Sequence, residues 1–264
     1  MNFKLVALDL DGTLLTEDKE VTPETVAAVR RVRERGCEVT LCTGRMFAAT
    51  LPYARELGIT LPLITYNGGL VMTPESREVL YQRSLPNRYA REIIARAREE
   101  GLAINYYHED RLLVEEITEQ HRLYAAWSRV PLEPVEDLLA LPHDPLKILL
   151  MGDEEKLNRL AEEFRRQWDG TVYVTKSWPT FLEFMHPEAN KGLGLKALLD
   201  HLGLDKSQVL AIGDSYNDLE MFQYAGFAVA MGNGEEAVKK AAHYVTKSNR
   251  ENGVAQVLEK FITG

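Results

Sequence analysis

The stretch that decides the fold is Phe3-Lys4-Leu5-Val6-Ala7-Leu8-Asp9-Leu10-Asp11-Gly12-Thr13-Leu14. Its largely apolar first half predicts a buried β-strand, which delivers two carboxylates to its carboxyl end. Asp9 and Asp11 are two residues apart, so on an extended chain they share one face. Such neighbours repel each other unless they bind a hard cation or share a proton. The pattern is typical of a catalytic acid pair, and also of a strand that ends in an Asp-Gly turn.

The composition is that of an acidic globular protein. The chain has 264 residues and a net charge of -9, which argues against the basic face of a nucleic-acid-binding surface. We find no apolar run long enough to span a bilayer, and the N-terminus lacks the layout of a signal peptide. Cys37 and Cys42 lie too far apart on one predicted strand to pair with each other. We therefore expect a cytoplasmic protein with reduced thiols, no membrane or nucleic-acid partner and no obligate protein partner.

Strands and helices alternate at both ends of the chain. Near the start, apolar strands at 3–9, 37–42 and 61–66 are separated by two helices, the first of which begins at Thr22-Pro23. From Lys191 onward the alternation returns, with strands at 208–212 and 227–230. This βαβ rhythm predicts an α/β fold with a doubly wound parallel sheet.

The middle of the chain has a different rhythm. Asn67-Gly68-Gly69 is a hairpin signal, and the strands and helices that follow are compatible with antiparallel pairing. We therefore expect an α+β cap domain at residues 85–186, inserted into a catalytic core formed by residues 1–84 and 187–264.

Three further motifs follow predicted strands or open a helix. Thr43-Gly44-Arg45 offers a hydroxyl, a glycine amide and a helix start, which together can hold a phosphate. Asn190-Lys191-Gly192 places a lysine where it can neutralise phosphate oxygens or hold a carboxylate. Each triplet alone is also compatible with an ordinary turn or a solvated lysine.

The last motif is Gly213-Asp214-Ser215-Tyr216-Asn217-Asp218, after an apolar strand. Asn217 and Asp218 come three and four residues after Asp214, so the three side chains can point the same way. Oxygen ligands of this kind suit Mg²⁺, although a capped helix start explains any one of them. Because sites in open α/β sheets lie outside the carboxyl ends of the strands, we expect all four motifs to converge.

In this order, the four motifs resemble those of the haloacid dehalogenase superfamily. The long insertion resembles the type-2 cap of the Cof-type hydrolases, which are Mg²⁺-dependent phosphatases of sugar phosphates and related metabolites. The resemblance covers essentially the whole chain. It implies that Asp9 attacks phosphorus, that Asp11 protonates the leaving group and then activates water, and that Thr43 and Lys191 hold the phosphoryl group.

The resemblance also implies a Mg²⁺ site made by Asp9, the backbone carbonyl of Asp11 and Asp214, with Asn217 and Asp218 in support. Because a general acid must keep its proton near neutral pH, we expect the pKa of Asp11 to be raised.

Substrate contacts are expected from loop residues beside the motifs and near the ends of the insertion. These residues are Gly44, Arg45, Asn67, Gly68, Glu183, His186 and Asn190. For His186, a role as a hinge residue before Pro187 is an equal alternative. Further candidates for specificity, each also compatible with sheet packing, are Tyr106, Tyr107, His108, Arg111 and Trp178.

The expected function is phosphatase activity on a small phosphorylated metabolite through an aspartyl phosphate. A phosphomutase of the same superfamily would share every motif and differs by needing an activating bisphosphate. A sugar-phosphate-binding regulator without turnover is a further alternative, against which the intact Asp9, Asp11 and Lys191 argue.

Overall fold

A computed structural model describes residues 3–264 of the chain. Its strands are β1 (Leu5–Leu8), β2 (Glu38–Leu41), β3 (Leu63–Thr65), β4 (Leu70–Met72), β5 (Val79–Gln82), β6 (Ala103–His108), β7 (Arg111–Val114), β8 (Glu133–Pro134), β9 (Lys147–Met151), β10 (Tyr173–Trp178), β11 (Phe181–Met185), β12 (Val209–Gly213), β13 (Phe227–Ala230) and β14 (Tyr244–Val245). Its α-helices are α1 (Pro23–Glu34), α2 (Phe47–Glu56), α3 (Asn87–Glu100), α4 (Glu119–Ser128), α5 (Glu154–Gln167), α6 (Lys191–Leu202), α7 (Leu219–Gln223), α8 (Glu236–Ala241) and α9 (Gly253–Leu258).

The described chain divides into two compact units. The core unit contains the residues up to Gln82 together with Asn190–Gly264, and the inserted unit contains Arg83–Ala189. The boundaries expected from the sequence, at residues 84 and 187, lie two and three residues from these.

The core unit contains a parallel sheet in the order β14-β13-β12-β1-β2. Strand β1 pairs with β12 on one side and with β2 on the other, and both pairings are parallel. The ends of β1 and β12 are in register, because Leu8 is paired with Ile212. The residues that follow these two strands therefore emerge side by side, and the predicted doubly wound α/β fold is confirmed.

Helix α1 illustrates how local sequence fixes an element of this unit. Thr22 lies in an extended conformation, and its side chain accepts a hydrogen bond from the backbone N–H of Thr25 at 3.3 Å. Pro23 occupies the first helical position, where its missing N–H costs nothing. Val29 and Val32 are buried. The predicted start of this helix is confirmed.

The third strand departs from the simplest expectation of one parallel sheet. β3 forms an antiparallel sheet with β4 and β5, and a single parallel bridge joins Ile64 to Cys42 after β2. The reversal follows from the positive φ angles of Asn67, at 53°, and Gly68, at 90°. This turn returns the chain to the end of β2, where the N–H of Asn67 donates to the carbonyl of Thr43 at 2.9 Å.

The inserted unit contains a sheet in the order β10-β11-β9-β6-β7-β8. Its pairings are antiparallel except for the parallel pair β7–β8. One face of this sheet packs on α3 and α5, where side chains such as Ile93, Ile94 and Phe164 share a buried cluster with Ile148 and Phe184 of the strands. The inserted unit is therefore an α+β structure with its own hydrophobic core.

Two further expectations concern membranes and thiols. No helix in the range 3–264 has both the length and the apolar character needed to cross a membrane. Cys37 and Cys42 are buried free thiols, and burial raises the pKa of Cys37 to about 11. A thiol with so high a pKa stays protonated near neutral pH and is a poor nucleophile.

Candidate active site

Asp9 and Lys191 form the centre of the polar cluster at the strand ends. Asp9 directly follows β1, and its backbone N–H donates to the carbonyl of Ile212 at 3.0 Å. The Lys191 side chain is fully buried, and its Nζ lies 2.6 Å from Asp9 Oδ1 and 2.7 Å from Asp218 Oδ1. Lys191 is the first residue of α6, which Asn190 caps by accepting a hydrogen bond from the N–H of Leu193 at 2.9 Å. The helix start therefore fixes the lysine between two carboxylates.

Asp218 holds both this lysine and the turn after β12. Its second oxygen, Oδ2, accepts hydrogen bonds from the backbone N–H groups of Asp214, at 2.9 Å, and Ser215, at 3.0 Å. Gly213 makes this approach possible, because a Cβ there would lie 2.4 Å from Asp218 Cγ. Both oxygens of Asp218 are thus already hydrogen-bonded, which indicates a supporting position.

Three carboxylates crowd together at this point. One oxygen atom from each of Asp9, Asp214 and Asp218 lies within 4.8 Å of the others. Burial raises the pKa of Asp9 well above its ordinary value, and the charges of Asp218 and Asp214 raise it further against the opposing effect of Lys191. Burial, with the charge of Asp218, raises the pKa of Asp214 to about 6 although Thr13 donates to its Oδ1 at 2.9 Å. The cluster therefore carries more negative charge than its one lysine neutralises.

Asn217 immediately precedes Asp218 and carries a buried amide oxygen. Its Nδ2 donates to Asn67 Oδ1 at 2.9 Å, whereas its Oδ1 is buried and has no hydrogen-bond partner within the described part of the chain. A buried amide oxygen without a partner is costly unless a ligand satisfies it. With the crowded carboxylates, it makes an oxygen donor set that fits a hard divalent cation such as Mg²⁺.

Asp11 lies in a very different electrostatic environment. Its carboxylate accepts from Arg45 Nε at 2.6 Å and Nη2 at 2.7 Å, and from Lys19 Nζ at 2.7 Å. Burial alone would raise the pKa of Asp11, but the hydrogen bonds and charges of Arg45 and then Lys19 outweigh it and lower the pKa to about 2. The expected raised pKa is therefore wrong for this arrangement, because two cations stabilise the ionised form.

Lys19 is the residue that sequence reasoning missed. It lies in the loop before α1 with a φ of 61°, and its carbonyl accepts a hydrogen bond from the Tyr53 hydroxyl at 3.1 Å. Arg45 Nη1 lies 3.4 Å from the same hydroxyl. Only charge complementarity to Asp11 could have indicated Lys19, because its contact depends on a turn and on a tyrosine of α2.

The Thr43-Gly44-Arg45 turn is joined to the turn after β3. Thr43 is buried, and its Oγ1 accepts from the N–H of Arg45 at 3.2 Å. Gly44 lies so close to Asn67 that a Cβ would be 2.8 Å from Asn67 Oδ1. Gly68 has a similar role, because a Cβ there would lie 2.0 Å from the carbonyl oxygen of Asn190. The expected binding residues of the core unit are thus brought together, with Gly68 and Asn190 as supports.

Glu183 and His186 belong to the inserted unit. Glu183 is buried, and its carboxylate accepts from Ser177 Oγ at 2.7 Å and lies 3.4 Å from Lys147 Nζ. His186 accepts a hydrogen bond from the N–H of Glu188 at 3.0 Å, and burial lowers its pKa. Both partners of this hydrogen bond lie in the loop that follows β11.

Three of the further candidates have packing or surface roles. Tyr106 is buried in the cluster with α3 and α5, and its hydroxyl donates to the carbonyl of His143 at 2.5 Å. His108 stacks on the His143 ring at 4.6 Å, and Arg111 Nε pairs with Glu133 at 2.7 Å. The other two candidates, Tyr107 and Trp178, lie on β6 and at the end of β10.

Comparison with known proteins places this geometry in a family context. Residues 6–258 match the sequence model of the haloacid dehalogenase-like hydrolases. The chain is 31% identical over 291 residues to a 5-amino-6-(5-phospho-D-ribitylamino)uracil phosphatase of Bacillus subtilis, covering 99% of each protein. It is 32% identical to an HMP-PP phosphatase of Serratia proteamaculans, covering 90% of this chain and 86% of that protein. The crystal structure of a haloacid dehalogenase-like hydrolase from Bacteroides thetaiotaomicron matches with a TM-score of 0.91 and 35% identity, covering 98% of this chain and 99% of that one.

Proposed function

The chain belongs to the haloacid dehalogenase-like hydrolase family as one of its phosphatases, and on that premise we propose that it hydrolyses small phosphorylated metabolites in a Mg²⁺-dependent reaction. The observation that carries this proposal is the buried Lys191 Nζ between Asp9 and Asp218, beside Asp214. Phosphoryl transfer depends mainly on positioning and charge neutralisation, and this cluster offers a fixed carboxylate, a fixed cation and oxygen donors for a metal.

Asp9 is the proposed nucleophile. Lys191 holds its Oδ1, which leaves Oδ2 to attack phosphorus as the bond to the leaving oxygen breaks. Water then attacks the phosphorus of the aspartyl phosphate, which releases inorganic phosphate and restores the carboxylate. A bound Mg²⁺, held by Asp9, Asp214, Asn217 and the backbone carbonyl of Asp11, would screen the negative charges that otherwise keep nucleophile and phosphate apart.

Asp11 is the proposed general acid and base. Its contacts with Arg45 and Lys19 favour the ionised form, so the carboxylate must separate from these cations before it can carry a proton. An incoming phosphate ester attracts the same two cations, and we propose that substrate binding draws them away from Asp11. Asp11 then takes up a proton from solvent, and the neutral carboxyl donates it to the leaving alkoxide.

The remaining predicted residues divide into phosphate ligands and supports. We propose that the Thr43 hydroxyl and the Gly44 amide bind the phosphoryl oxygens together with Lys191. Asn67 holds Asn217 in place through its amide. Glu183 and His186 lie in the inserted unit, and their contact with substrate stays a prediction from the sequence.

The test is phosphate release from an aryl phosphate and from a panel of sugar phosphates, without any bisphosphate. Activity should vanish with a chelator and return with Mg²⁺, and D214N should lose the response to Mg²⁺. Full activity in chelator, or restoration by Zn²⁺ alone, would contradict the metal assignment. A requirement for an activating bisphosphate would instead favour a phosphomutase.

A further inference from the structure

The two cations that hold Asp11 come from separate segments of the core unit. Arg45 lies in the turn between β2 and α2, and its Nε and Nη2 each bond one oxygen of the Asp11 carboxylate. Lys19 lies in the loop between β1 and α1, and its Nζ donates to Asp11 Oδ1 at 2.7 Å. The relative position of the two cations therefore depends on a contact between these segments.

The Tyr53 hydroxyl makes that contact. Tyr53 is a buried residue of α2, and its hydroxyl donates to the backbone carbonyl of Lys19 at 3.1 Å. The same oxygen accepts a hydrogen bond from Arg45 Nη1 at 3.4 Å, and the guanidinium carbon of Arg45 lies 5.4 Å from the centre of the Tyr53 ring. A phenolic hydroxyl can donate and accept at once. This one group therefore joins the backbone of one cation to the side chain of the other.

Lys19 lies at the tip of a short turn. Its φ of 61° belongs to the left-handed region, which residues other than glycine adopt rarely. Within the turn, the N–H of Thr16 donates to the carbonyl of Glu20 at 3.0 Å, and the N–H of Lys19 donates to the carbonyl of Thr16 at 3.1 Å. These bonds shape the turn, whereas the bond from Tyr53 ties it to α2. Because such a backbone conformation persists only where surrounding contacts fix it, the position of Lys19 depends on Tyr53.

The arrangement suits an anion that offers at least two oxygens. Arg45 presents a planar pair of donors, and the ammonium group of Lys19 adds a point charge beside them. Carboxylates and phosphates both accept such a pair of donors. Long side chains lose rotamer freedom when they bind an anion. Anchoring them in advance lowers that cost, which increases affinity rather than the rate of the chemical step.

We propose that Tyr53 is a positioning residue that keeps Arg45 and Lys19 together as one anion-binding cation pair. Asp11 occupies this cation pair in the resting protein, and the phosphate group of the substrate takes its place. The inference rests on the proposed phosphatase function. It gives a role in substrate binding to a tyrosine of α2 that lies outside the four sequence motifs.

The kinetic test compares Y53F with the wild type on an aryl phosphate in the presence of Mg²⁺. Y53F keeps the buried ring and removes the hydroxyl. KM should rise about fivefold, the effect of one net hydrogen bond, while kcat changes less than about twofold, because the lost interaction contributes equally to the ground state and the transition state. The matched control is Y244F, because Tyr244 is a half-buried residue of the edge strand β14 and its ring packs on Phe261. Y244F should leave both constants unchanged.

A second comparison tests whether Tyr53 acts through Lys19. K19M removes the ammonium group but keeps the carbonyl that Tyr53 bonds. In the K19M background, Y53F should raise KM about twofold at most, because only Arg45 then remains to be positioned. An equal fold-change in KM with and without the lysine, or a fall in kcat at unchanged KM, would indicate a general structural role and overturn the proposal.

A binding measurement separates Tyr53 from the chemistry. Tungstate is an unreactive tetrahedral dianion, and calorimetry in the presence of Mg²⁺ gives its Kd. Y53F should raise this Kd about fivefold, and Y244F should leave it unchanged. Tungstate binding that depends on Tyr53, without phosphate release from any ester, would support the role of Tyr53 and contradict the phosphatase proposal. Phosphate release with the same KM and the same tungstate Kd in Y53F and the wild type would overturn the role of Tyr53 and leave the phosphatase proposal standing. Absence of both tungstate binding and phosphate release would overturn both.

Discussion

Two carboxylates of one loop, Asp9 and Asp11, have opposite electrostatic environments. Asp9 lies among Asp214 and Asp218, and its pKa is raised by burial and by these charges despite Lys191. Asp11 is held by two cations, which lower its pKa to about 2 against the effect of burial. Around Asp9 one lysine faces three carboxyl groups, whereas around Asp11 two cations face a single carboxylate.

This difference shows how one strand end can serve two chemical roles. The end of β1 sets the backbone positions of both residues, but the charged groups around each carboxyl set its pKa. The proposed Mg²⁺ would complete the environment of Asp9, whereas Asp11 must first separate from its cations before it can supply a proton. The predictions below change one environment at a time.

The largest effect is expected from D9N. Without the nucleophile, turnover of alkyl and aryl phosphates should both vanish in a phosphate-release assay. Thermal unfolding of D9N in chelator should occur at a temperature no lower than that of the wild type, because a neutral amide relieves the crowding of carboxylates. Appreciable turnover by D9N would remove Asp9 from the mechanism.

Replacing Lys191 by methionine should strongly destabilise the core unit. The variant leaves Asp9 and Asp218 buried without their shared cation, and breaking a buried pair in this way costs about 3–5 kcal/mol. Urea unfolding near neutral pH in chelator measures the loss. The matched control is K196M on the same helix, because Lys196 forms only an exposed pair with Asp200 and should change stability little. Equal stabilities of the two variants would contradict the proposed role of Lys191.

Mg²⁺ should stabilise the protein in a pH-dependent manner. Because the folded pKa of Asp214 is raised to about 6, the protonated carboxyl favours the folded state at low pH, and this contribution is lost as pH rises through about 6. Mg²⁺ needs the ionised form, so its affinity should increase by up to about tenfold per pH unit below that value and then level off. Melting curves with Mg²⁺ and with chelator across this range measure the effect. A Mg²⁺ shift that does not vary with pH would contradict it.

The smallest effect is expected from K19M, which removes one of the two cations from Asp11. The side chains of this pair are 23% and 35% exposed, so we expect a loss of less than about 1 kcal/mol near neutral pH. Because the folded pKa of Asp11 is lowered, its stabilisation is present above the ordinary value near 3.8 and is lost as pH falls toward 2. Urea unfolding should show the two proteins converging at acid pH. A difference that persists there would indicate a packing role for Lys19.

The sequence predicts those parts of the site that depend on the register of parallel strands. Asp9, Thr43 and Asp214 each follow a strand of the core unit, so their convergence follows from the fold. The cations around Asp11 could not be predicted, because Lys19 reaches it from an irregular turn without periodicity. The reversal after β3 was predictable, because the hairpin signal Asn67-Gly68-Gly69 supplies the residues that adopt its positive φ angles.

The groove between α4 and the turn from β10 to β11 was equally beyond sequence reasoning. Trp178 is recognisable as a candidate, but Trp127 lies some fifty residues away on α4, and only the tertiary structure brings their elements together. Alternation along β9 predicts which of its side chains share a face, but not that a helix covers one end of that face. Such contacts depend on packing between distant segments, which local patterns do not encode.

The most direct test of the central claim is to trap the phosphoryl group on Asp9. D11N should still transfer phosphate from an aryl phosphate, whose leaving group needs little protonation, but should hydrolyse the phospho-enzyme slowly. After acid quenching in the presence of Mg²⁺, mass spectrometry of D11N should show one added phosphoryl group on the peptide that contains residue 9. The double variant D9N/D11N and a chelator-treated sample should show none. A phosphoryl group on another residue, or label that survives in D9N/D11N, would contradict the account.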